Sequence, residues 1–249
     1  MIKDFVKTEG WLWHDYDVTG STNDEAAALA TEVAAGGYYV ISAKEQTAGR
    51  GRRGRTWTGG EGNLYMSLLF PFALADCGIL TFMLSLALLH TVREYDPQAD
   101  LALKWPNDVL LQGRKISGIL LEKAIGDYII AGIGVNLKFA PQLSGLLYAA
   151  GSLQNFGIEA ERKEFLQRFL AKFNHCRQLW QENGGAAVIE QWRALAYGIG
   201  GPITVNLPKG QLHGIFSGLD DNGMLLLQTA DGTKTISAGD VFFDEEGKR

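Results

Sequence analysis

Twelve residues, Gln46-Thr-Ala-Gly-Arg-Gly-Arg-Arg-Gly-Arg-Thr-Trp57, concentrate groups able to hold an anion. Gly49, Gly51 and Gly54 let backbone N–H groups come close to a bound oxygen. Arg50, Arg52, Arg53 and Arg55 supply planar, always-charged forks for carboxylate or phosphate. The chemistry implied is closure over a negatively charged small molecule. A basic turn or a nucleic-acid patch is the other reading of such a run.

Two familiar phosphate motifs almost fit and are turned down. Gly49, Gly51 and Gly54 satisfy G-x-G-x-x-G, but that motif needs a helix opening under the pyrophosphate. Here Thr58-Gly-Gly-Glu-Gly62 follows, and then a strand pattern. Gly49 to Thr56 also approximates a P-loop, with Arg55 where the lysine belongs and again no helix after it.

The elements that must position this loop are legible from their texture. Trp11–Val18, Tyr38–Ala43 and Asn63–Phe70 are rich in β-branched and aromatic residues and predict strands. Between the first two, Ser21, Thr22 and Asn23 precede an alanine-rich run, predicting a helix over 23–34 ended by Gly36-Gly37. Those polar residues serve either as caps or as groups aimed at a bound polar molecule, and the sequence favours capping. Leu80–Tyr95 predicts a helix apolar most of the way round, hence buried. Leu101–Lys104 is a short strand, stopped by Pro106 and a turn at Asn107-Asp108. Val109–Leu111 and Lys115–Leu121 flank Gln112-Gly-Arg114 as a hairpin. Asp127–Val135 is a strand carrying Gly132 and Gly134, which mark close approach by a ligand or another backbone. Lys138–Gly157 is loop-like, and Glu161–Trp180 and Ala187–Ala196 are amphipathic helices. From about Tyr197 short alternating strands follow, at Ile203–Leu207, Gln211–Leu219, Met224–Gln228 and Thr233–Ser237, predicting a small all-β barrel.

Composition narrows the class. A chain of 249 residues, 46% hydrophobic and 20% charged, is one domain with room for a small appendage and has an ordinary globular balance. Its net charge is −5, while Lys44 to Arg55 carries +4, which leaves the remainder at −9, the difference between the two. A basic loop on an acidic protein counts against a nucleic-acid-binding domain. Cys77 and Cys176 have no metal spacing, and the start lacks a signal-peptide apolar region, so the expected setting is cytoplasmic. His14, His90, His175 and His213 are scattered and form no ligand pattern.

Gly20-Ser-Thr-Asn23, the arginine loop, Lys104-Trp-Pro-Asn-Asp108, Arg114-Lys-Ile-Ser-Gly-Ile-Leu120 and Gly132-Ile-Gly-Val-Asn136 stand in the order and spacing of the biotin–protein ligases, which this chain resembles from about Trp13 to Asn136. The resemblance implies an α+β fold: a mixed β-sheet catalytic domain packed with helices, of the class II synthetase-like biotin/lipoate ligase type, plus a small C-terminal SH3-like β-barrel. Domains over 1–197 and 198–249 follow. It implies ATP and Mg²⁺ as co-substrate and metal, and biotin as substrate. Biotin's carboxylate attacks the α-phosphate to give biotinyl-5′-adenylate, and a lysine of a biotin carboxyl carrier domain then takes the biotin.

By the same resemblance, Lys115, Arg50 and Arg52 are the catalytic residues. Ser21, Thr22, Asn23, Gln46, Gly49, Gly51, Trp57, Gly118 and Gly132 join those three in holding biotin. Gln46, Ser21 and Thr22 take the uncharged ureido ring, Gly118 and Gly132 leave room beside it, and Trp57 seals the pocket or is simple core. Arg50, Arg52, Lys104, Asn107 and Asn136 hold the nucleotide, with Asp108 as the metal-side carboxylate. Departures matter too. The motifs begin by Trp13, which leaves no space for the N-terminal winged helix-turn-helix of the repressor members, so no DNA and no membrane partner is expected. A homodimer stays open. In some members an arginine late in the C-terminal domain approaches the adenine; Asp244 stands there, so no site is assigned in the barrel. Lipoate–protein ligases and octanoyl transferases share the fold and form the second reading, but lack the arginine loop beside K-W-P-N-D.

Overall fold

The computed structural model describes residues 5–33, 36–141, 149–208 and 210–243. A short strand β1 (Val6–Thr8), not foreseen, pairs with β2 (Trp11–Thr19). Helix α1 (Thr22–Ala30) then crosses to β3 (Tyr39–Gln46), which lies parallel to β2. The helix stops short of the expected end at Ala34, a residue outside the described ones. β4 (Leu64–Pro71), β5 (Leu101–Lys104), β6 (Asp108–Leu111), β7 (Arg114–Lys123) and β8 (Tyr128–Val135) complete a sheet ordered β1-β2-β3-β4-β8-β7-β6-β5. Apart from β2–β3, the neighbours run antiparallel.

Period-2 alternation sends successive side chains to opposite faces of this sheet. On β4, Leu64, Met66, Leu68 and Phe70 join the large core with α2 (Cys77–Tyr95) and α3 (Arg162–Ala194). Leu69 faces the other way, into a smaller cluster with Ala26, Leu29 and Ala30 of α1. Helix α2 is buried as its composition requires: Leu80, Met83, Leu84, Leu86 and Leu89 are fully inaccessible, each worth roughly 1.5–3 kcal/mol against exposure. Leu74–Tyr95 is long and apolar enough to span a bilayer, but 61% of its apolar window is packed inside the fold. The two helices expected over 161–196 form one span, broken at Gly184, whose φ of 75° interrupts the helix.

The second sheet is antiparallel, built from β9 (Pro202–Leu207), β10 (Gly210–Leu219), β11 (Leu225–Thr229), β12 (Gly232–Ile236) and the unforeseen β13 (Asp240–Phe243), ordered β12-β11-β10-β9-β13. Asp244 lies outside the described residues. Its apolar face is continuous with the main core through Ile203, Val205, Phe216 and Val241. Polar bonds fasten it as well: Trp105 Nε1 donates to the Gly223 carbonyl at 3.1 Å, and Arg193 Nη2 to that of Leu219 at 2.8 Å. Of the stretch expected to be loop over Lys138–Gly157, residues 142–148 lie outside the described ones, and the part after them carries defined backbone pairing. Ala149–Gly151 runs beside Lys115 in a backbone bridge, and Ser152 and Asn155 cap a short helical turn reciprocally.

Candidate active site

One cavity opens on the α1 face of the main sheet. Every site residue expected from sequence borders it except Gly49. Gly118, Gly132 and Gly134 of β7 and β8 line its floor, Gly118 opposite Gly134; on the neighbouring β4, Ser67 stands opposite Gly132 and Tyr65 opposite Gly134.

At one end the lining is polar and uncharged. Ser21 occupies the N-cap position of α1, yet its side chain makes no capping bond. The first helical N–H, that of Thr22, is instead satisfied by Gln46 Oε1 at 2.7 Å, and the Thr22 hydroxyl donates to the same oxygen at 3.0 Å. Capping by Ser21, the reading favoured from sequence, is therefore corrected: a side chain from β3 caps the helix. Ser67 Oγ sits 2.7 Å from Thr22 Oγ1 and 2.5 Å from Asn23 Oδ1, while Asn23 Nδ2 donates to Glu122 Oε2 at 2.7 Å. Ser21, Thr22 and Asn23 are all buried, so this network is fixed rather than adaptable.

At the other end the lining is cationic. Lys115 Nζ pairs with Asp108 Oδ1 at 2.7 Å, and Lys104 Nζ lies 3.9 Å from Asp108 Oδ2. Burial alone would raise the Asp108 carboxyl, but Lys115 and Lys104 more than reverse this and hold it below the ordinary carboxylate range. Burial pushes the Lys104 ammonium down to about 7 despite the attraction of Asp108. Arg52 Nη1 donates to Asn107 Oδ1 at 3.0 Å, and Asn107 Nδ2 to the Ile119 carbonyl at 2.8 Å, so Asn107 tethers the loop to β7. Arg50, Arg52, Arg55, Lys104 and Lys115 border the cavity against the carboxylates of Asp108 and Asp240, an excess of basic groups that favours a bound anion.

Trp57 lies between the two ends, its ring 5.4 Å from Lys115 Nζ. A Cβ at Gly134 would collide with its indole, and one at Gly118 would come within 3.0 Å of it. A Cβ at Gly132 would strike the Asn23 side chain. These glycines thus make space for Asn23 and Trp57, and Gly118 and Gly132 border the cavity as well.

Other expectations change in detail. The Gly51 N–H, expected to receive a ligand oxygen, donates to the Arg55 carbonyl at 2.7 Å. Gly49 stands back from the cavity; a Cβ there would sit 2.7 Å from the Trp57 carbonyl, so the glycine serves the closure of the loop. Arg50 and Arg52, expected to act alike, are separated. Arg50 forms a two-pronged pair with Asp24 at 2.8 and 2.7 Å, with Glu122 Oε2 3.5 Å away. That pairing raises Arg50 further and lowers Asp24. Asn136 is 2% exposed, its Nδ2 donating to the Gly151 carbonyl at 3.0 Å, so it builds the wall of the cavity. Asp108 does not fit a metal-side carboxylate, because two ammonium groups already face its oxygens. Among the described residues no three His, Cys, Asp or Glu side chains converge. Sequence reasoning missed Ser67 and Glu122, and it missed Asp240 and Val241, which bring the second sheet to the rim although no site was assigned there.

Comparison with known proteins identifies the family. Residues 17–136 match the biotin/lipoate A/B protein ligase family and residues 198–244 the biotin protein ligase C-terminal domain. A biotin–[acetyl-CoA-carboxylase] ligase of Paracoccus denitrificans is 39% identical over 90% of this chain and 98% of its own. One from Mycobacterium tuberculosis is 34% identical over 96% and 93%. The biotin protein ligase of Aquifex aeolicus in complex with biotin and ATP superposes with a TM-score of 0.79 at 29% identity, covering 94% of this chain and 98% of that one. On these matches, and with the loop, lysines and glycines converging on one cavity, the chain belongs to the biotin–protein ligase family.

Proposed function

We propose that the chain is an ATP-dependent biotin–protein ligase. The observation that carries this is the two-ended cavity: an uncharged hydrogen-bonding end joined to a cationic end, bridged by an indole. Biotin has the complementary shape, a neutral ureido head and a carboxylate tail. Gln46, Ser21, Thr22 and Asn23 hold the head, Trp57 covers the middle, and the tail reaches Lys115. ATP lies at the cationic end, its α-phosphate near Lys115 and Arg52. A carboxylate oxygen bonds to the α-phosphorus, the α–β bridging P–O bond breaks, and pyrophosphate leaves. The acceptor lysine then attacks the acyl carbon as the neutral amine, the C–O bond to AMP breaks, and the amine gives up a proton. The cations let two mutually repelling anions meet. Mg²⁺ would enter with the triphosphate and offset its charge, since Asp108 is already engaged by Lys115 and Lys104.

The reading includes a biotin carboxyl carrier domain as partner, a cytoplasmic setting, no DNA or membrane ligand, and a division into a 1–197 catalytic and a 198–249 C-terminal domain. The two sheets and the two separate family matches support that division. The test is mass spectrometry of the protein after incubation with ATP, Mg²⁺ and either biotin or lipoate. A retained biotinyl-adenylate is expected; a lipoyl-adenylate alone would transfer the site to the sister activity.

Arg52 should keep that intermediate in place. Its guanidinium is pulled down by burial and bonded to Asn107, so it is aimed inward before ligand arrives. Arg52→Ala should weaken ligand binding and release adenylate into solvent, where it acylates bystander lysines. Unselective labelling of an added inert protein measures this; wild-type retention by the variant would remove the role.

A further inference from the structure

The four loop arginines divide into two pairs. Arg50 and Arg52 border the polar and cationic ends of the cavity. Arg53 and Arg55, the latter also at the cavity's rim, turn to a single carboxylate on the second sheet: Arg53 Nη1 is 3.1 Å from Asp240 Oδ2, and Arg55 Nη2 is 2.8 Å from Asp240 Oδ1. Arg53 Nη1 also donates to the Asn206 carbonyl at 3.2 Å. Asp240 is only 17% exposed, the most sheltered member of this group.

The loop needs such a hold. Arg53 has φ 55° and ψ 40°, a left-handed conformation unusual for a residue with a side chain, and persists there only where its surroundings determine it. Nearby bonds carry the hold inward. The Arg55 carbonyl accepts from Gly51 N–H at 2.7 Å, and Arg55 Nε donates to the Arg52 carbonyl at 3.2 Å. Arg52 in turn reaches Asn107. A connected path therefore runs from Asp240 through Arg55 to the backbone that presents Arg52.

We propose that Asp240 is a positioning residue: it clasps Arg53 and Arg55 to the second sheet, so that the loop stays closed with Arg52 facing the cavity. Its acidity also spares the loop the mutual repulsion of four adjacent cations. The effect on the intermediate rests on the ligase reading above; the clasp itself does not.

The experiment compares wild type, Asp240→Asn, Asp240→Glu and Arg55→Gln in the full chain. The first readout is subtilisin nicking within residues 50–55 without ligand. Two partly exposed pairs together should shift loop opening by about 3- to 20-fold, so Asp240→Asn should be nicked faster by that factor. Arg55→Gln, which leaves the second sheet untouched, should also be nicked faster, and Asp240→Glu should stay close to wild type. The difference should fade at about 1 M salt, where screening shortens to roughly 3 Å. The second readout is the half-life of bound biotinyl-adenylate, expected to shorten in Asp240→Asn while KM for biotin changes less. Wild-type nicking by both Asp240→Asn and Arg55→Gln would overturn the clasp. Faster nicking with unchanged adenylate lifetime would overturn its effect on the intermediate. Wild type that forms no biotinyl-adenylate would sink the ligase reading and leave the nicking comparison standing on its own.

Discussion

Lys115→Ala is expected to slow biotinyl-adenylate formation roughly 10²–10³-fold, the loss of about 3–4 kcal/mol that follows removal of one well-placed transition-state donor. In the transition state, charge spreads over the carboxylate and the α-phosphate oxygens. An ammonium already fixed in place stabilises that spread more than it does the separated reactants. Lys115 is fixed from three directions: Asp108 at 2.7 Å, the face of Trp57, and backbone bonds to Ala149 and Gly151. Biotin affinity without ATP should fall less, since in the proposed arrangement the head is held by Gln46, Ser21 and Thr22. Arginine should rescue poorly, because its longer planar fork cannot occupy the place of a point charge. Single-turnover adenylate formation beside calorimetric biotin binding separates the outcomes. A near-normal rate would make Lys115 a bystander, and lost binding of both substrates would make its role ground-state attraction.

The second large effect is expected at Asp108. Asp108→Asn removes the carboxylate that stands between Lys104 and Lys115, Lys104 with only 6% of its side chain exposed. Breaking a buried pair in this way costs about 3–5 kcal/mol of stability. The cost should depend on pH. Lys104 already sits at about 7, below its unfolded value, and loss of Asp108 lowers it further. Between its folded and unfolded values the unfolded chain binds more protons, so stability rises with pH across that window. That rise is common to wild type and variant; the deficit itself should be larger at about pH 5 than at about pH 8, because below about 7 the folded variant has shed a Lys104 proton that folded wild type still holds, and above it the two folded states carry the same number. Urea unfolding at both pH values measures it. An equal deficit at both, or none at the lower, would contradict the pairing.

Much of this site was legible in the sequence because its parts are local. The arginine loop, K-W-P-N-D and the glycines of β8 are short runs whose composition already departs from ordinary strand or helix. Ser67 was not legible, because a serine in a strand is unremarkable until register places it opposite Gly132 and under α1. Asp240 was hidden by distance: its partners Arg53 and Arg55 lie in another sheet's territory, and only tertiary packing joins them. Ser21 misled because capping is the commonest use of such a residue. No property of Gln46 in the sequence tells that it reaches across to take the helix's first N–H.

The two ends of the cavity also differ in how far apart along the chain their parts lie. The uncharged end is assembled where β2, α1 and β3 meet, from residues 21–23 and 46, over the floor of β7 and β8. The cationic end draws on residue 52, on 104–115, and on a rim from residue 240. Contacts of short sequence separation are reached with little loop-closure entropy, and those of long separation are the first surrendered when an element detaches. Partial opening at the junction of the two sheets thus takes the Asp240 rim and its hold on the arginine loop from the anion end while the uncharged end stands. On the proposed function, mild urea should therefore weaken nucleotide binding before biotin binding, as calorimetry with each ligand would measure.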